Sequence, residues 1–404
     1  MENYEAVGIV EALRSGVASR RLSAIFSYGR EGLLEQVQQD LDAVARGRNV
    51  RFLILRGDYG EGKTHCLNTI FNLAQERGFV VSFVVLSKET PFNRMDRVYP
   101  KVACATYLPR AEEPGMEALL RDIRSGSALS EEILEFARQE LHPKIFYILQ
   151  NYFNANDPFH QYLLSGDLNG EWLPVSQLKS MHRLNFGRPA KIDRFKSADH
   201  AWDYFRLMAH LIKKRGFAGW VLLFDELELT GTLSLLARAN SFYNLSRFTF
   251  PQGAEALPSV YPVFSVASRF WPDVLLRARR PDVDEIPARL IAKGEPRKAE
   301  QAKRVLNSFL QETVTLEALP KADVRRCVGA VQDLHGRAYG WEPEADLEQI
   351  LEATRYARLR TKIRYTLEYL DLKYLYREEP AVETTCLEEM PLEAADGGYD
   401  EDYI

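Results

Sequence analysis

The fold of this chain is decided by one stretch of eight residues, Gly57-Asp58-Tyr59-Gly60-Glu61-Gly62-Lys63-Thr64. The stretch matches the pattern G-x-x-x-x-G-K-[ST] at every constrained position. Its glycines let the backbone wrap an anion closely with N–H groups, and the helix that begins near Lys63 directs its positive dipole end at the same point. We therefore predict a phosphate-binding loop for ATP, in which Lys63 contacts the β- and γ-phosphates and the Thr64 hydroxyl ligates Mg²⁺.

The elements around the loop favour this interpretation over a chance match. A short apolar run precedes the loop and a helical stretch, residues 63–77, follows it, which is the context that the motif requires. Further apolar runs of strand length recur along the chain, separated by helical patterns. The predicted strands are Phe52–Leu55, Phe79–Leu86, Trp220–Phe224, Tyr261–Ala267 and Thr313–Leu316. Strands that alternate with helices predict an α/β fold, a parallel five-stranded sheet covered on both faces.

A second motif lies at the end of the third predicted strand, where the apolar run is followed by Asp225 and Glu226. Taken alone, two acids after a strand are equally typical of a charged turn. In a phosphate-loop fold Asp225 is expected to hold Mg²⁺ and Glu226 to orient and deprotonate the attacking water. The adjacent Glu226 favours hydrolysis over storage of the nucleotide.

The spacing of the two motifs predicts the domain organisation. Lys63 and Asp225 are 162 positions apart, more than a minimal core needs, so we expect an insertion at about 100–196, with a long helix from Ser130 to about residue 153. The predicted domains are N-terminal helices (1–48), the ATPase core (49–320), a helical lid (321–380) and an acidic tail (381–404). The tail holds eight acidic side chains and no Lys or Arg, which is typical of disorder or of docking on a basic partner.

Composition excludes several classes of protein. The chain has 46% hydrophobic and 27% charged residues and a net charge of -5, so it carries no global basic footprint for nucleic acid. The longest apolar run, Phe217–Phe224, is well short of the ~20 residues that span a bilayer. The acidic N-terminus lacks an apolar signal core, and the four scattered cysteines are typical of reduced thiols. We expect a cytoplasmic protein without membrane contact.

Several segments give the chain a family resemblance. They are Glu11–Gly16, Gly57–His65, Leu164–Asp167, Gly216–Glu226, Leu334–Trp341 and Arg360–Arg364. Together they resemble the BrxC/BrxD P-loop family, the ATP-binding proteins of BREX phage-defence islands, and within it the BrxD type. The family is similar to the ORC/Cdc6 branch of AAA+ ATPases. The resemblance implies an AAA+ core, a role in restricting or marking foreign DNA, and an Lhr-like helicase as partner.

The resemblance also implies roles for single residues. Ser268, after the fourth strand, corresponds to a polar sensor of the γ-phosphate, with Ser265 as the alternative. Arg289 corresponds to a finger that completes a neighbouring subunit's site; Arg279 and Arg280 are alternatives for that role, which requires a homo-oligomer. Arg360 and Arg364 are candidates for a second sensor in the lid. His65 is grouped with the nucleotide-binding residues, with packing as the alternative. For the arginines the plain alternative is a solvated surface.

Two questions stay open at this stage. The stretch 182–196 holds His182 and five cations and few acids, which is typical either of a solvated surface or of contact with DNA phosphates. For function we weigh an ATP-hydrolysing motor or switch coupled to a DNA-processing partner against a nucleotide-sensing scaffold with little turnover. A kinase-like phosphotransferase is a third, weaker alternative.

Overall fold

The computed structural model of the protein describes residues 3–15, 20–47, 52–111, 113–342 and 347–378. The chain divides into two compact units, a larger one of Ala18–Glu317 and a smaller one of Met1–Val17 with Ala318–Ile404. No helix of the described ranges is long and apolar enough to cross a membrane. The predicted acidic tail, 381–404, lies outside the described residues.

The helices and strands follow one another along the chain in the order that an α/β fold requires. The helices are α1 (Asn3–Arg14), α2 (Arg20–Ile25), α3 (Glu31–Ala45), α4 (Lys63–Glu76), α5 (Met95–Cys104), α6 (Glu117–Leu120), α7 (Ala128–Glu140), α8 (Pro143–Phe153), α9 (Pro158–Leu168), α10 (Val175–Phe186), α11 (Ser197–Lys214), α12 (Leu235–Thr249), α13 (Asp282–Ala292), α14 (Pro296–Gln311), α15 (Lys321–Tyr339), α16 (Leu347–Ala353) and α17 (Leu359–Leu370). The strands are β1 (Leu53–Gly57), β2 (Val80–Val85), β3 (Thr106–Tyr107), β4 (Trp220–Asp225), β5 (Val260–Ala267) and β6 (Val314–Thr315).

The larger unit is built on a sheet that has six strands in its described part, in the order β3-β2-β4-β5-β1-β6. The five predicted strands all form and pair in parallel. The prediction of a five-stranded, all-parallel sheet is wrong in one respect, because β3 adds an antiparallel edge next to β2. Two residues are too few to give a periodic signal in the sequence. The phosphate-loop strand β1 and the Asp-Glu strand β4 are not neighbours, since β5 lies between them.

Alternate residues of each central strand enter two different cores, as a pleated sheet requires. Leu53 and Leu55 face a core that α3 and α4 complete, whereas Ile54 faces the larger core of the opposite side. In β4, Val221 and Leu223 point to the first core, and Trp220, Leu222 and Phe224 point to the second. Helices therefore cover both faces, and the carboxyl ends of β1, β4 and β5 meet at one edge of the sheet.

The segment between β2 and β4 is largely helical, but the long helix predicted from Ser130 to about residue 153 is interrupted. Residues 130–153 form two helices, α7 and α8, which are separated by Leu141 and His142. Pro143 cannot continue α7, because its ring excludes the helical hydrogen bond, and it instead starts α8. The N-terminal cap of α7 is Ser127, whose side chain accepts a hydrogen bond from the Ser130 N–H.

The smaller unit joins the first helix of the chain to the last ones. Within it α1 packs on α15 and α17. Asp371 is the centre of the contact: it accepts a hydrogen bond from Arg14 Nε at 3.0 Å and one from His335 Nε2 at 2.8 Å. Trp341 Nε1 donates to His335 Nδ1 at 2.9 Å. Two segments that carry the family resemblance are thus held together by one carboxylate.

Candidate nucleotide-binding site

The loop between β1 and α4 has the backbone that wrapping an anion requires. Gly60 and Gly62 adopt φ of 83° and 91°, which glycine reaches without the steric cost that other residues meet. A Cβ at Gly57 would lie 3.2 Å from Lys63 Cγ, so this glycine leaves room for the lysine stem. The first turn of α4 begins directly after Gly62, and its N–H groups form a ready site for phosphate.

Lys63 and Thr64 are held at the carboxyl edge of the sheet. The Lys63 side chain is 6% exposed, and its Nζ donates to the carbonyls of Gly57 at 3.0 Å and of Asp58 at 3.3 Å. The ring of Tyr59 lies 4.9 Å from the same Nζ. The Thr64 hydroxyl donates to Asp225 Oδ2 at 2.7 Å. The structure therefore brings together the two motifs that are 162 positions apart in the sequence.

Asp225 is buried, at 2% exposure, and its partners are neutral donors. Besides the Thr64 hydroxyl it accepts a hydrogen bond at Oδ1 from the Ser265 hydroxyl and another from the Glu226 N–H at 3.0 Å. Ser265 lies on β5, between the two motif strands. Three donors fix the orientation of this carboxylate, and none of them is a cation, which suits an oxygen ligand for a divalent cation.

Glu226 lies at a sharp turn of the backbone. Its φ of 62° is left-handed, a conformation that costs a residue other than glycine roughly 1–2 kcal/mol. The turn breaks the alternation of the strand, so two successive acids share the same edge. The pKa of Glu226 is raised to about 7, first by burial and then by the charges of Glu228 and Asp225, while the charge of Lys63 opposes them. A carboxylate with this pKa is suited to accepting a proton near neutral pH.

Sequence reasoning missed two contributors to this edge. Glu228, in the 3-10 turn Leu227–Thr232, lies beside Glu226 and the Tyr59 hydroxyl. Burial, with the charges of Glu228 and Glu226, raises the pKa of Tyr59 to about 12. Arg30 donates from Nη2 to the Glu61 carbonyl of the loop at 3.4 Å. Glu228 could have been found from the sequence, because it lies two positions after the Asp225–Glu226 pair. Nothing in the sequence marks Arg30.

Ser268, the predicted sensor, and His65 lie next to the phosphate loop, but neither side chain is among the hydrogen-bond partners of Asp225 described above. The Ser268 N–H donates to the Gly57 carbonyl at 3.2 Å, so its backbone borders the phosphate loop. The side chain that contacts Asp225 is that of Ser265, the alternative candidate. His65 Nε2 donates to the Phe26 carbonyl at 2.9 Å, and burial lowers the pKa of this imidazole. His65 thus packs α4 against the segment after α2, and its contact with nucleotide stays a prediction.

The candidate arginines are all exposed. Arg289 lies on α13 of the larger unit, and Arg279 and Arg280 precede that helix. Arg360 and Arg364 lie four positions apart on α17 of the smaller unit. Their roles as finger and second sensor stay predictions.

A helix-covered parallel sheet with a glycine-rich loop between its first strand and helix is consistent with the class of P-loop nucleotide-binding proteins. The family model described as BREX system ATP-binding protein BrxC/D matches residues 2–125. The resemblance to the BrxC/BrxD family is thereby confirmed over this segment, which holds the phosphate loop but is under a third of the chain. The BrxD type and the AAA+ branch stay predictions. No curated protein matches the sequence.

Proposed function

We propose that this protein binds Mg·ATP between the Gly57–Thr64 loop and Asp225 and hydrolyses it with Glu226 as the general base. One observation carries the proposal: the Thr64 hydroxyl and the Asp225 carboxylate meet at 2.7 Å beside a buried Lys63. These are the residue types and the arrangement that phosphoryl transfer needs. The description of the matching family as ATP-binding supports the choice of nucleotide.

The residues fit a magnesium ion. Mg²⁺ prefers hard oxygen ligands, and Thr64 Oγ1 and Asp225 Oδ2 would supply two of them. When bound, the ion would neutralise charge on the β- and γ-phosphates. Asp225 needs no large movement for this role, because the Ser265 hydroxyl and the Glu226 N–H already hold its second oxygen.

Within this site each residue has a separate task. Loop N–H groups and Lys63 bind the phosphates, and Lys63 exchanges its bonds to the Gly57 and Asp58 carbonyls for phosphate oxygens. Glu226 orients a water and accepts its proton, which its environment favours at neutral pH. Ser268, which follows β5, senses the γ-phosphate. Ser265, within β5, is the alternative for this role.

For the biological setting we propose an AAA+-type motor or switch of the BrxD type in BREX-like phage defence. The family description names the BREX system, and the strand β5 between the two motif strands supports an AAA+ core. Different affinities for ATP and ADP would drive the switch and act on a DNA-processing partner such as an Lhr-like helicase. We place the protein in the cytoplasm.

Steady-state phosphate release from Mg·ATP, with and without DNA, tests the proposal. Wild type should turn over, and Glu226→Gln should bind ATP with similar affinity but release phosphate roughly 10²- to 10⁴-fold more slowly. A wild type that binds ATP without turnover, with DNA and partner present, would establish the nucleotide-sensing scaffold instead. Label from [γ-³²P]ATP found on an acceptor other than water would establish the phosphotransferase.

Mixing two inactive variants tests the proposed finger and the homo-oligomer together. If Arg289 acts in trans, Glu226→Gln mixed with Arg289→Ala should regain part of the wild-type turnover, because some interfaces then combine an intact site with an intact arginine. The same mixtures with Arg279→Ala or Arg280→Ala identify the residue if Arg289 is not the finger. ATP turnover per molecule that does not depend on protein concentration, and that none of the three arginine substitutions lowers, would exclude a trans arginine among these residues.

A further inference from the structure

Five cations of the insertion form a basic strip, which consists of Arg183, Arg188, Lys191, Arg194 and Lys196. All five are exposed, and the stretch 182–196 contains one acid, Asp193. The whole chain has a net charge of -5, so the strip is a positively charged region in a protein that is negatively charged overall. His182 was predicted with this group, but it is 1% exposed and its Nδ1 lies 3.1 Å from Asn151 Nδ2. It belongs to the core of the insertion.

The backbone of the strip is fixed by the residues between its cations. Ala190 and Ile192 are buried at 6% and 8% exposure, on either side of exposed Lys191. The Lys191 N–H donates to the Tyr147 hydroxyl of α8 at 3.1 Å. Alternation of buried and exposed positions over a segment without helix or strand indicates that the protein holds this segment against its core with the charges outward.

The ends of the strip are anchored as well. At the first end, Asn185 Nδ2 donates to Asn151 Oδ1 of α8 at 3.0 Å. At the other end the Phe195 ring lies 4.1 Å from Lys144 Nζ and packs on His142 and His200.

Lys144 is itself held by a fully buried ion pair with Asp167, at 2.5 Å, and Asp167 also accepts a hydrogen bond from the Tyr204 hydroxyl at 2.6 Å. Asp167 is the last residue of the Leu164–Asp167 segment that carries part of the family resemblance. The buried network therefore contributes to the placement of the strip.

We propose that the basic strip binds the backbone phosphates of a nucleic acid. Three of its cations, Arg188, Lys191 and Arg194, are exposed within seven consecutive residues of a fixed backbone, so positive charge is concentrated there. The backbone of a nucleic acid carries closely spaced negative charges, so it can contact several of these cations at once. A pre-positioned segment also avoids the ordering cost that a mobile basic loop would meet on binding. Binding through backbone phosphates depends on their charge and not on the base sequence.

Fluorescence anisotropy with labelled duplex DNA, single-stranded DNA and RNA, without nucleotide, tests the strip independently of the ATP site. The variant Arg188→Gln/Lys191→Gln/Arg194→Gln removes three exposed charges, and Lys293→Gln/Arg297→Gln/Lys303→Gln removes three other exposed charges of the same unit as the control. We expect the strip variant to bind roughly 10- to 100-fold more weakly at 50 mM salt. Its plot of log affinity against log salt should be flatter by about 2.7 for duplex or about 2.1 for single strands.

Each result of the binding experiment either supports or overturns the proposed contact with nucleic acid. A selective loss in the strip variant, with the control close to wild type, supports the proposal, and the probe that wild type binds most tightly and the strip variant loses most identifies the nucleic acid. No binding by wild type to any of the three probes at 50 mM salt overturns it, as does an equal loss in both variants. Labelled polyglutamate is included as a fourth probe, and binding to it but to none of the nucleic acids would also overturn the proposal. None of these results bears on ATP hydrolysis, which Glu226→Gln tests separately.

Discussion

Two buried aspartates show how differently this protein uses a carboxylate. Asp167, in the insertion, accepts bonds from Lys144 Nζ, the Tyr204 hydroxyl and the Leu173 N–H. Asp225, at the sheet edge, accepts bonds from two hydroxyls and one N–H, and it lies beside the carboxylate of Glu226. Both are close to fully buried, but only Asp167 has a lysine bonded to it.

The difference separates structure from function. A buried carboxylate that is paired with a cation and saturated with donors has nothing left to bind, and its loss is felt in stability. A buried carboxylate that is oriented by hydroxyls next to further acids keeps its charge for a ligand, at a cost to stability that functional sites commonly carry. The predictions below test this division.

The largest effect is expected from Lys144→Met, which leaves Asp167 buried without its cation. Breaking a buried pair from one side costs about 3–5 kcal/mol. Urea unfolding should show this loss in the transition that reports the insertion, while the double variant Lys144→Met/Asp167→Leu should recover much of it. A single variant as stable as wild type would mean that Asp167 is not the structural carboxylate of the comparison.

Next in size is Ser265→Ala, which removes one of the donors that orient Asp225. Loss of a group that orients a metal ligand typically lowers metal affinity or activity by about 10- to 100-fold. Titration of ATP turnover with Mg²⁺ should show the half-saturating concentration rising by that order, with little loss of stability. Ser268→Ala is the matched control, since its side chain is predicted to act on the γ-phosphate and so to leave the Mg²⁺ titration unchanged. An equal rise of the half-saturating Mg²⁺ concentration in both variants would show that Ser265 has no special role in orienting Asp225.

The motifs of the candidate site are easier to recognise in the sequence than the elements around them, for physical reasons. The loop and the Asp225–Glu226 pair are local motifs, and parallel strands bring their carboxyl ends to one edge of a sheet. Ser265 was only an alternative because its contact with Asp225 depends on strand order. The edge strand β3 is too short for a periodic signal, and the break at Pro143 was overlooked although proline marks it. The partnership of α1 with α15 joins the two ends of the chain, which no local pattern reveals.

A smaller effect is expected from Glu228→Gln, because the charge of Glu228 is one of the causes that raise the pKa of Glu226. Removing it should lower the pKa of Glu226 from about 7, so the acidic limb of kcat/KM, which reports the free protein, should move to lower pH. Rates measured from pH 5.5 to 8.5 check this shift. An unmoved limb in Glu228→Gln would show that Glu228 does not act on the base.

The smallest effect concerns stability. Glu226 has a pKa of about 7 in the folded state, against 4.5 for an ordinary glutamate, so between these two values the folded state binds more protons than the unfolded one. Stability contributed by this group must therefore fall as pH rises from about 4.5 to 7. Urea unfolding of wild type and Glu226→Gln over this range should show wild type losing stability relative to the variant. A parallel pH dependence of the two proteins would contradict the raised pKa.

The most direct test of the central claim is a single-turnover experiment with protein in excess over Mg·[γ-³²P]ATP at pH 8. The account predicts that wild type converts the bound ATP to labelled inorganic phosphate. Glu226→Gln should bind the same fraction of ATP but convert it roughly 10²- to 10⁴-fold more slowly. Equal rates for the two proteins, or bound ATP that wild type leaves intact, would contradict the assignment of Glu226 as the base of an ATP-hydrolysing site.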